Sequence, residues 1–290
     1  MSKRKPLPEE KKHGSVTVGI FDSGLGGLLT ARLLRAKRPD LSILYYGDTA
    51  HLPYGDKSEE QIQEYVWKIV RFLRGKGAEA IAIACNTASA VAYETAQAAA
   101  GSIPVYNAIS PALKRFAQES LPSPVGVIGT YTTIRSGIYG RALRKMGYTV
   151  HELPTPLLVP LIEEGWIHHP ATEAALHTYL SQLGEVKTLL LACTHYPLLE
   201  GLIEQYYAER QYPIQILSTA ALLAEEMAQS LPHASKGCIS FAHFWVSDAN
   251  PRFIELAPRF WSEPIQLNEV KELSSGKGQR IAQIRKPPYF

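Results

Sequence analysis

The sequence carries one pattern twice, at Ala80-Ile-Ala-Ile-Ala-Cys-Asn-Thr-Ala-Ser89 and at Thr188-Leu-Leu-Leu-Ala-Cys-Thr-His-Tyr-Pro197. Each copy is a short apolar run, then Ala-Cys, then a polar residue, then a segment that favours a helix start. The two cysteines, Cys85 and Cys193, are 108 positions apart (193 − 85). Thiols at equivalent points of two halves predict one site that is approached from opposite sides.

Short apolar strands alternate with helices on both sides of these cysteines. Ser58, with Gln61 three residues later, forms a capping-box pattern ahead of an amphipathic helix. Alternation of this kind is typical of parallel sheets that are covered on both faces. We therefore predict an α/β fold of two pseudo-symmetric doubly wound parallel-sheet domains, with the active site between them, beyond the carboxyl ends of the strands.

The offset of 108 also relates Asp22 to Thr130 (130 − 22), and each of them ends a glycine-containing strand. We interpret the pattern as a degraded internal duplication. The predicted division of the chain is a basic disordered tail at 1–15, a first α/β domain at 16–109 plus 218–273, a second α/β domain at 110–217, and a C-terminal tail at 274–290.

The composition fits an ordinary globular protein of roughly two domains, with 290 residues, 46% hydrophobic and 20% charged. A net charge of +3, much of it in the N-terminal tail, does not call for a nucleic-acid partner. Since no apolar stretch approaches the length of a membrane span and no secretory signal is evident, we expect a cytoplasmic protein without membrane contact. Three widely spaced cysteines do not make a disulfide framework.

Both paired cysteines are candidates for acid–base chemistry. A helix N-terminus lowers a thiol pKa from about 8.5 towards 7 or below, and His195 stands two residues after Cys193. The alternatives are that both thiols are small buried hydrophobes, that Cys193 and His195 belong to a zinc site, or that they form a cysteine-protease pair. A metal is not expected because the sequence lacks CxxC and HxxxH spacing. Cys238, in an apolar run, is assigned to the core.

Other polar segments extend the candidate site. Asp22-Ser-Gly-Leu-Gly-Gly27 follows a strand, yet its aspartate disfavours phosphate and suits an ammonium group or a proton relay. The alternative is that Asp22 only caps the next helix. The aromatic and polar segment 46–57 is predicted to line the mouth of the site. The Glu163–Glu164 pair is assigned to the solvated surface by default, and the residues directly after the thiols are candidate neutral donors: Asn86, Thr87, Thr194 and His195.

Six motifs together resemble the glutamate racemase family, in order and over about residues 16–246. They are Phe21-Asp-Ser-Gly-Leu-Gly-Gly, Tyr46-Gly-Asp-Thr-Ala…Leu-Pro-Tyr-Gly, Ala84-Cys-Asn-Thr-Ala-Ser, Val127-Ile-Gly-Thr, Val159-Pro-Leu-Ile-Glu-Glu-Gly and Cys193-Thr-His-Tyr-Pro-Leu-Leu. The resemblance implies a racemase that needs no cofactor and no metal and interconverts L- and D-glutamate, supplying D-glutamate for peptidoglycan. We also expect a homodimer.

By the same resemblance, Cys85 and Cys193 are the two acid–base residues. Asp22, His195 and Glu163 assist them, and the substrate is held by Asp22, Ser23, Tyr54, Gly55, Asn86, Thr87, Thr194 and His195. Two alternatives stay open: an aspartate racemase of the same superfamily, and a non-catalytic protein that binds an amino acid. The segment from about residue 274 onwards matches no motif of the family.

Overall fold

The computed structural model describes residues 15–235, 238–249, 251–263, 265–270 and 273. The strands are β1 (Thr17–Asp22), β2 (Ser42–Gly47), β3 (Ala80–Ile83), β4 (Val105–Asn107), β5 (Val125–Gly129), β6 (Val150–Pro154), β7 (Thr188–Ala192), β8 (Gln215–Ser218), β9 (Ala242–Val246) and β10 (Leu267–Glu269). The helices are α1 (Gly27–Lys37), α2 (Glu59–Gly75), α3 (Asn86–Ala100), α4 (Ser110–Gln118), α5 (Tyr131–Arg135), α6 (Ile138–Lys145), α7 (Leu158–Glu163), α8 (Pro170–Leu183), α9 (Glu200–Ala208), α10 (Thr219–Ser230) and α11 (Pro251–Trp261).

The strands form two sheets in which every described pairing is parallel. A six-stranded sheet has the order β10-β9-β2-β1-β3-β4, and a four-stranded sheet has the order β6-β5-β7-β8. The order β2-β1-β3-β4 in the first sheet is repeated as β6-β5-β7-β8 in the second. Strands β5, β6 and β7 each begin 108 residues after β1, β2 and β3 (125 − 17, 150 − 42, 188 − 80). The predicted pseudo-symmetric α/β fold is confirmed.

Local sequence explains why these elements form. The capping box ahead of α2 is present: the Gln61 backbone N–H donates to Ser58 Oγ (3.3 Å), and the Ser58 N–H donates to Gln61 Oε1 (3.2 Å). The apolar face of α2 is buried, while every residue of β2, β3 and β7 is buried as well. Both faces of such strands are covered, so a ligand can reach only the residues at their carboxyl ends.

The predicted domain boundaries stay a prediction, which the sheet memberships support. The six-stranded sheet takes strands from 17–107 and 242–269, and the four-stranded sheet takes strands from 125–218. Of the predicted N-terminal tail, only Ser15 is described; it is buried, and its hydroxyl donates to the carbonyl of Asp40 (2.6 Å). Residues 1–14 and the predicted tail at 274–290 lie outside the described residues.

The assignment of Cys238 to the core is wrong. Its side chain is only half-buried, and the neighbouring Ile239 is 76% exposed. Strand β9 begins at Ala242, which pairs with Ile43 near the start of β2. Residues 238–240 therefore precede the strand and are not part of the sheet. None of the helices described here is both long and apolar enough to span a membrane.

Arg38, at the end of α1, ties the six-stranded sheet's first helix to the end of α10. Its guanidinium pairs with Asp40 (2.7 Å) and donates to the carbonyls of Ala228, Leu231 and Pro232 at 2.7 to 3.0 Å. The arginine is 5% exposed, and its hydrogen bond to the Leu231 carbonyl is buried. The hydrogen bond with Arg38 is the main reason that the pKa of Asp40 lies well below its usual range.

Replacing Arg38 with alanine is expected to lower the free energy of unfolding by about 2 kcal/mol, because a part-buried ion pair loses its buried partner and three carbonyls lose their donor. Chemical denaturation measures the change. The stabilisation that comes from the ionised Asp40 carboxylate is fully present above the pKa of about 3.9 that this group has in the unfolded chain. It is lost as the pH falls towards the lower pKa that the group has in the folded protein. The control is Lys68→Ala, which breaks a more exposed pair with Glu64 worth about 0.5 kcal/mol. Equal losses in the two variants would contradict the prediction.

Candidate active site

The two thiols stand at equivalent ends of the two sheets. Cys85 follows β3 and is the N-cap of α3, where its Sγ accepts a hydrogen bond from the backbone N–H of Ala88 (3.5 Å). Cys193 follows β7 and precedes a short 3₁₀ turn at 196–199. Each is 6% exposed, and both line one cavity of about 330 Å³.

The cavity lies where the carboxyl ends of the two sheets face each other. Ten of the eleven residues predicted for the site, including both thiols, line it: Ser23, Tyr54, Gly55, Cys85, Asn86, Thr87, Glu163, Cys193, Thr194 and His195. Asp22 does not line the cavity; it is fully buried behind Ser23, at the end of β1. No group of three or more potential metal ligands occurs among the residues that the structure describes.

His195 joins Cys193 to a carboxylate. Its Nδ1 lies 3.8 Å from the Cys193 Sγ, and its Nε2 lies 3.0 Å from Glu163 Oε1. Burial by itself would lower the pKa of His195, but its hydrogen bonds with Cys193 and Glu163 raise that pKa well above the ordinary value. A protonated imidazole in this position places a positive charge 3.8 Å from the Cys193 sulfur.

Cys85 is in the opposite electrostatic environment. Burial, followed by the charge of Asp22, raises the pKa of the Cys85 thiol to about 12, although the N–H of Ala88 and the hydroxyl of Ser23 (3.8 Å) act in the other direction. The expectation that a helix N-terminus lowers this pKa is therefore wrong for Cys85. One N–H does not outweigh the transfer of a thiolate out of water.

Asp22 connects the two halves instead of serving Cys85 alone. Its carboxylate accepts hydrogen bonds from the Gly24 N–H (3.0 Å) and from the Thr194 hydroxyl (3.3 Å), and it interacts electrostatically with His195. Burial raises the pKa of Asp22, and these partners oppose that rise. The N-cap position of α1 is Gly26, but Asp22 also accepts from the backbone N–H of Gly27, the first residue of α1, so the helix-capping alternative describes part of its role.

Glycine 26 allows the two halves to approach. A Cβ atom at Gly26 would lie 2.1 Å from the Thr194 Oγ1 and 2.8 Å from the His195 Nδ1. Only a residue without a side chain fits at that distance. The glycine-rich turn after β1 therefore serves close packing against the Cys193 half.

The segment 46–57 forms part of the cavity wall, as its composition indicates. The Tyr54 hydroxyl donates to Asp48 Oδ2 (2.6 Å), and His51 Nδ1 lies 2.8 Å from Asp48 Oδ1. The carbonyl of Gly55 accepts a hydrogen bond from the Thr132 hydroxyl in α5 (2.6 Å). This contact joins the wall segment to the four-stranded sheet's side of the cavity.

The sequence reasoning missed Thr130, Tyr131 and Glu164, all of which line the cavity. The Thr130 hydroxyl lies 2.9 Å from that of Thr87, across the two halves. The repeat of 108 residues was the available signal, since Thr130 follows β5 as Asp22 ends β1. The pair Glu163 and Glu164 was assigned to the surface by default, and this default is wrong for Glu163, which pairs with His195.

Arg252, in α11, holds the end of the helix that carries Glu163. Its Nε donates to the carbonyl of Glu163 (3.1 Å), and its Nη2 donates to the carbonyl of Glu164. A cation at the carboxyl end of a helix satisfies carbonyls that have no partner within the helix. The final described helix thus supports the Glu163–His195 pair.

Two parallel α/β halves, with one buried thiol from each half on one cavity, define the class of this chain as an α/β racemase. The sequence profile of the Asp/Glu/hydantoin racemase family matches residues 29–227. The chain belongs to this family, and within it to the glutamate racemases. Glutamate racemase of Aquifex aeolicus is 42% identical over 254 residues, which cover 87% of this chain and 98% of that protein.

Other relatives agree with this placement. Glutamate racemase of Neisseria gonorrhoeae is 36% identical over 266 residues, covering 88% of this chain and 96% of that protein. The crystal structure of glutamate racemase from Francisella tularensis in complex with D-glutamate superposes with a TM-score of 0.82, at 30% identity, covering 90% of this chain and 99% of that chain. The match therefore spans both sheets, not one motif.

Proposed function

We propose that this protein interconverts L- and D-glutamate without a cofactor, by proton transfer between the substrate and two thiols. The observation that carries the proposal is the placement of Cys85 and Cys193, both on one cavity and each at the end of a central strand of a different sheet. Removal of a proton from one face of a carbon and delivery to the other face inverts its configuration. Since the two enantiomers are mirror images, the thiols exchange roles in the reverse direction.

The surroundings of the thiols support unequal resting states. The His195 imidazolium, held by Glu163, places a positive charge beside the Cys193 sulfur, whereas burial with Asp22 nearby keeps Cys85 in the thiol form. We therefore propose that Cys193 takes the α-proton of one enantiomer, and that Cys85 donates a proton to the opposite face. After one turnover Cys193 holds a proton and Cys85 has lost one. Before the same enantiomer can react again, a proton must return from Cys193 to Cys85; otherwise the other enantiomer must bind.

The α-proton of an amino acid is weakly acidic, so negative charge that develops at the carboxylate needs fixed donors. The N-terminus of α3 points backbone N–H groups towards the cavity end of β3, and the wall includes two hydroxyl residues, Ser23 and Thr87, besides Thr194. Donors that are already in place stabilise such charge without reorganisation, most strongly where water is excluded. We propose that these groups hold the substrate carboxylates.

The choice of glutamate over aspartate is part of the proposal. It is supported by the identities to glutamate racemases and by the solved complex of the Francisella tularensis relative with D-glutamate. A protein that only binds an amino acid would have no need of two buried thiols on one cavity. Such a binder would also leave the α-hydrogen of its ligand unexchanged with solvent.

Chelator-treated protein, free of pyridoxal phosphate, is expected to racemise L-glutamate to an equal mixture of enantiomers. Polarimetry follows the decay of optical rotation, and NMR in D₂O follows exchange of the α-hydrogen. L-aspartate is the matched comparison substrate. A requirement for added metal or cofactor, or faster turnover of aspartate than of glutamate, would contradict the proposal.

We further propose that the enzyme supplies D-glutamate for peptidoglycan in the cytoplasm and acts as a homodimer. Support for the cytoplasm comes from three described cysteines that are all free thiols, as a reducing compartment allows. Light scattering coupled to gel filtration measures the oligomeric state, and a monomer at working concentrations would contradict the dimer. Growth of a racemase-depleted bacterium that depends on external D-glutamate tests the cellular role by complementation.

A further inference from the structure

The side chain of Asn86 is held by two residues on the side of the four-stranded sheet. Its Oδ1 accepts a hydrogen bond from the Tyr139 hydroxyl (2.6 Å), and its Nδ2 donates to the Thr219 Oγ1 (2.9 Å). Asn86 is 2% exposed, Tyr139 is 1% exposed and Thr219 is fully buried. Short contacts between side chains this deeply buried fix the amide in one orientation.

The two partners of the amide are themselves anchored on the side of the four-stranded sheet. Tyr139 lies in α6, and Thr219 is the first residue of α10, directly after β8. The Thr219 hydroxyl donates to the carbonyl of Leu191 in β7 (3.0 Å). This chain of hydrogen bonds therefore runs from the helix behind Cys85 to the strand that ends before Cys193.

Asn86 is the first residue of α3 and directly follows Cys85. The Cys85 Sγ is bonded to the N–H of Ala88 in the same first turn. Any rotation or shift at the start of α3 relative to the four-stranded sheet moves the thiol relative to the cavity. Because both the oxygen and the nitrogen of the Asn86 amide have a partner, the amide is suited to set the position of the start of α3.

We propose that Tyr139 is a positioning residue for the Cys85 half of the reaction. Its hydroxyl acts through Asn86 to hold the start of α3, and with it the Cys85 thiol, in register with Cys193. The proposal rests on the proposed racemase function. Tyr139 does not line the cavity, so its effect does not depend on contact with substrate.

The experiment compares Tyr139→Phe with Tyr148→Phe. Both changes delete one phenol hydroxyl from the same half, but the Tyr148 hydroxyl bonds only backbone groups near 116–121 and lies outside the site. Tyr139→Phe is expected to lower kcat/KM for glutamate by roughly ten- to a hundredfold, the loss that follows a displacement of about 1 Å at a reacting group. Tyr148→Phe is expected to stay within about twofold of the wild type.

Isotope effects separate positioning from general loss of structure. In a two-thiol reaction, slowing the Cys85 step makes it more rate-limiting in both directions. The deuterium isotope effect on kcat/KM should then rise for α-deuterated glutamate of the enantiomer that Cys85 deprotonates, and fall for the other enantiomer. A protein that is merely less folded loses rate without changing this balance.

The outcomes decide the proposal. Activity of Tyr139→Phe within about twofold of Tyr148→Phe, or a loss of rate with both isotope effects unchanged, overturns it. If Tyr139→Phe does not fold, Thr219→Val serves as the second variant: it removes the hydroxyl that accepts from the Asn86 amide and keeps the size of the side chain. Thr219→Ser keeps the hydroxyl, so its rate and isotope effects should match those of the wild type. Failure of Thr219→Val to alter either quantity overturns the proposal. Failure of the racemase proposal is seen separately, as absence of turnover by the wild type.

Discussion

Cys85→Ser and Cys193→Ser are each expected to lower kcat/KM for racemisation by roughly 10³-fold or more, in both directions. A positioned acid or base contributes up to about 10⁴-fold, and a serine hydroxyl ionises far less readily than a thiol. The volume change is small, so both variants should fold. Chiral chromatography of the product, starting from each enantiomer, measures the loss.

The two variants are expected to fail in complementary ways. Each retains one thiol and can still remove the α-hydrogen of the one enantiomer that presents it to that thiol, without returning a proton to the other face. NMR with α-deuterated L- and D-glutamate in water detects this one-sided loss of deuterium. The control is Cys238→Ser, which alters a half-buried thiol outside the cavity and should turn over normally.

Either of two results would remove the two-thiol mechanism. One is near-normal racemisation by Cys85→Ser or Cys193→Ser. The other is a pair of variants that both act on the same enantiomer, since that would place both thiols on one face of the substrate. A large loss in Cys238→Ser would show that the third cysteine has a role that its position does not indicate.

The fold was predictable because it rests on local and repeated features. The apolar runs before Cys85 and Cys193 are too short for helices and are followed by helix-start signals, which favours parallel strands with a site at their ends. The offset of 108 residues between the thiols holds in the structure for the starts of three strand pairs. A duplication of this kind is visible in one sequence without any knowledge of tertiary contacts.

The electrostatics of the site were not predictable in the same way. The pKa of Cys85 depends on how much water its sulfur loses and on the nearby carboxylate of Asp22, and both are tertiary quantities. The local sequence predicts the helix start after Cys85, which by itself would lower the thiol pKa. It does not predict the burial that raises this pKa by more. The Asn86 contacts with Tyr139 and Thr219 likewise join residues 53 and 133 positions apart, with no periodicity to reveal them.

Iodoacetamide is expected to alkylate Cys193 at least about a hundredfold faster than Cys85 at neutral pH, in a Cys238→Ser background that leaves only these two thiols. Accessibility does not distinguish them, because each is 6% exposed. The reactive species is the thiolate, and a thiol with a pKa of about 12 is ionised in roughly one molecule in 100,000 at pH 7. Mass spectrometry of peptides at timed intervals gives both rates.

The neighbours of each thiol are expected to set this difference. His195→Asn removes the cation 3.8 Å from Cys193 and should slow alkylation of Cys193 by roughly tenfold or more. Asp22→Asn removes a negative charge that disfavours the Cys85 thiolate, so it should speed alkylation of Cys85. As the pH rises through the raised pKa of His195, the imidazolium loses its proton and the advantage of Cys193 should shrink, while the rate at Cys85 keeps climbing with pH towards about 12.

Equal rates at the two cysteines, or faster reaction at Cys85, would contradict this assignment. In that case the His195–Glu163 pair would not be holding a cation beside Cys193, and the resting thiolate would lie on the α3 side of the cavity. The direction of the first proton transfer would then be reversed for each enantiomer. The ratio of alkylation rates thus tests the unequal partners of the two thiols, which the repeat of the sequence makes look equivalent.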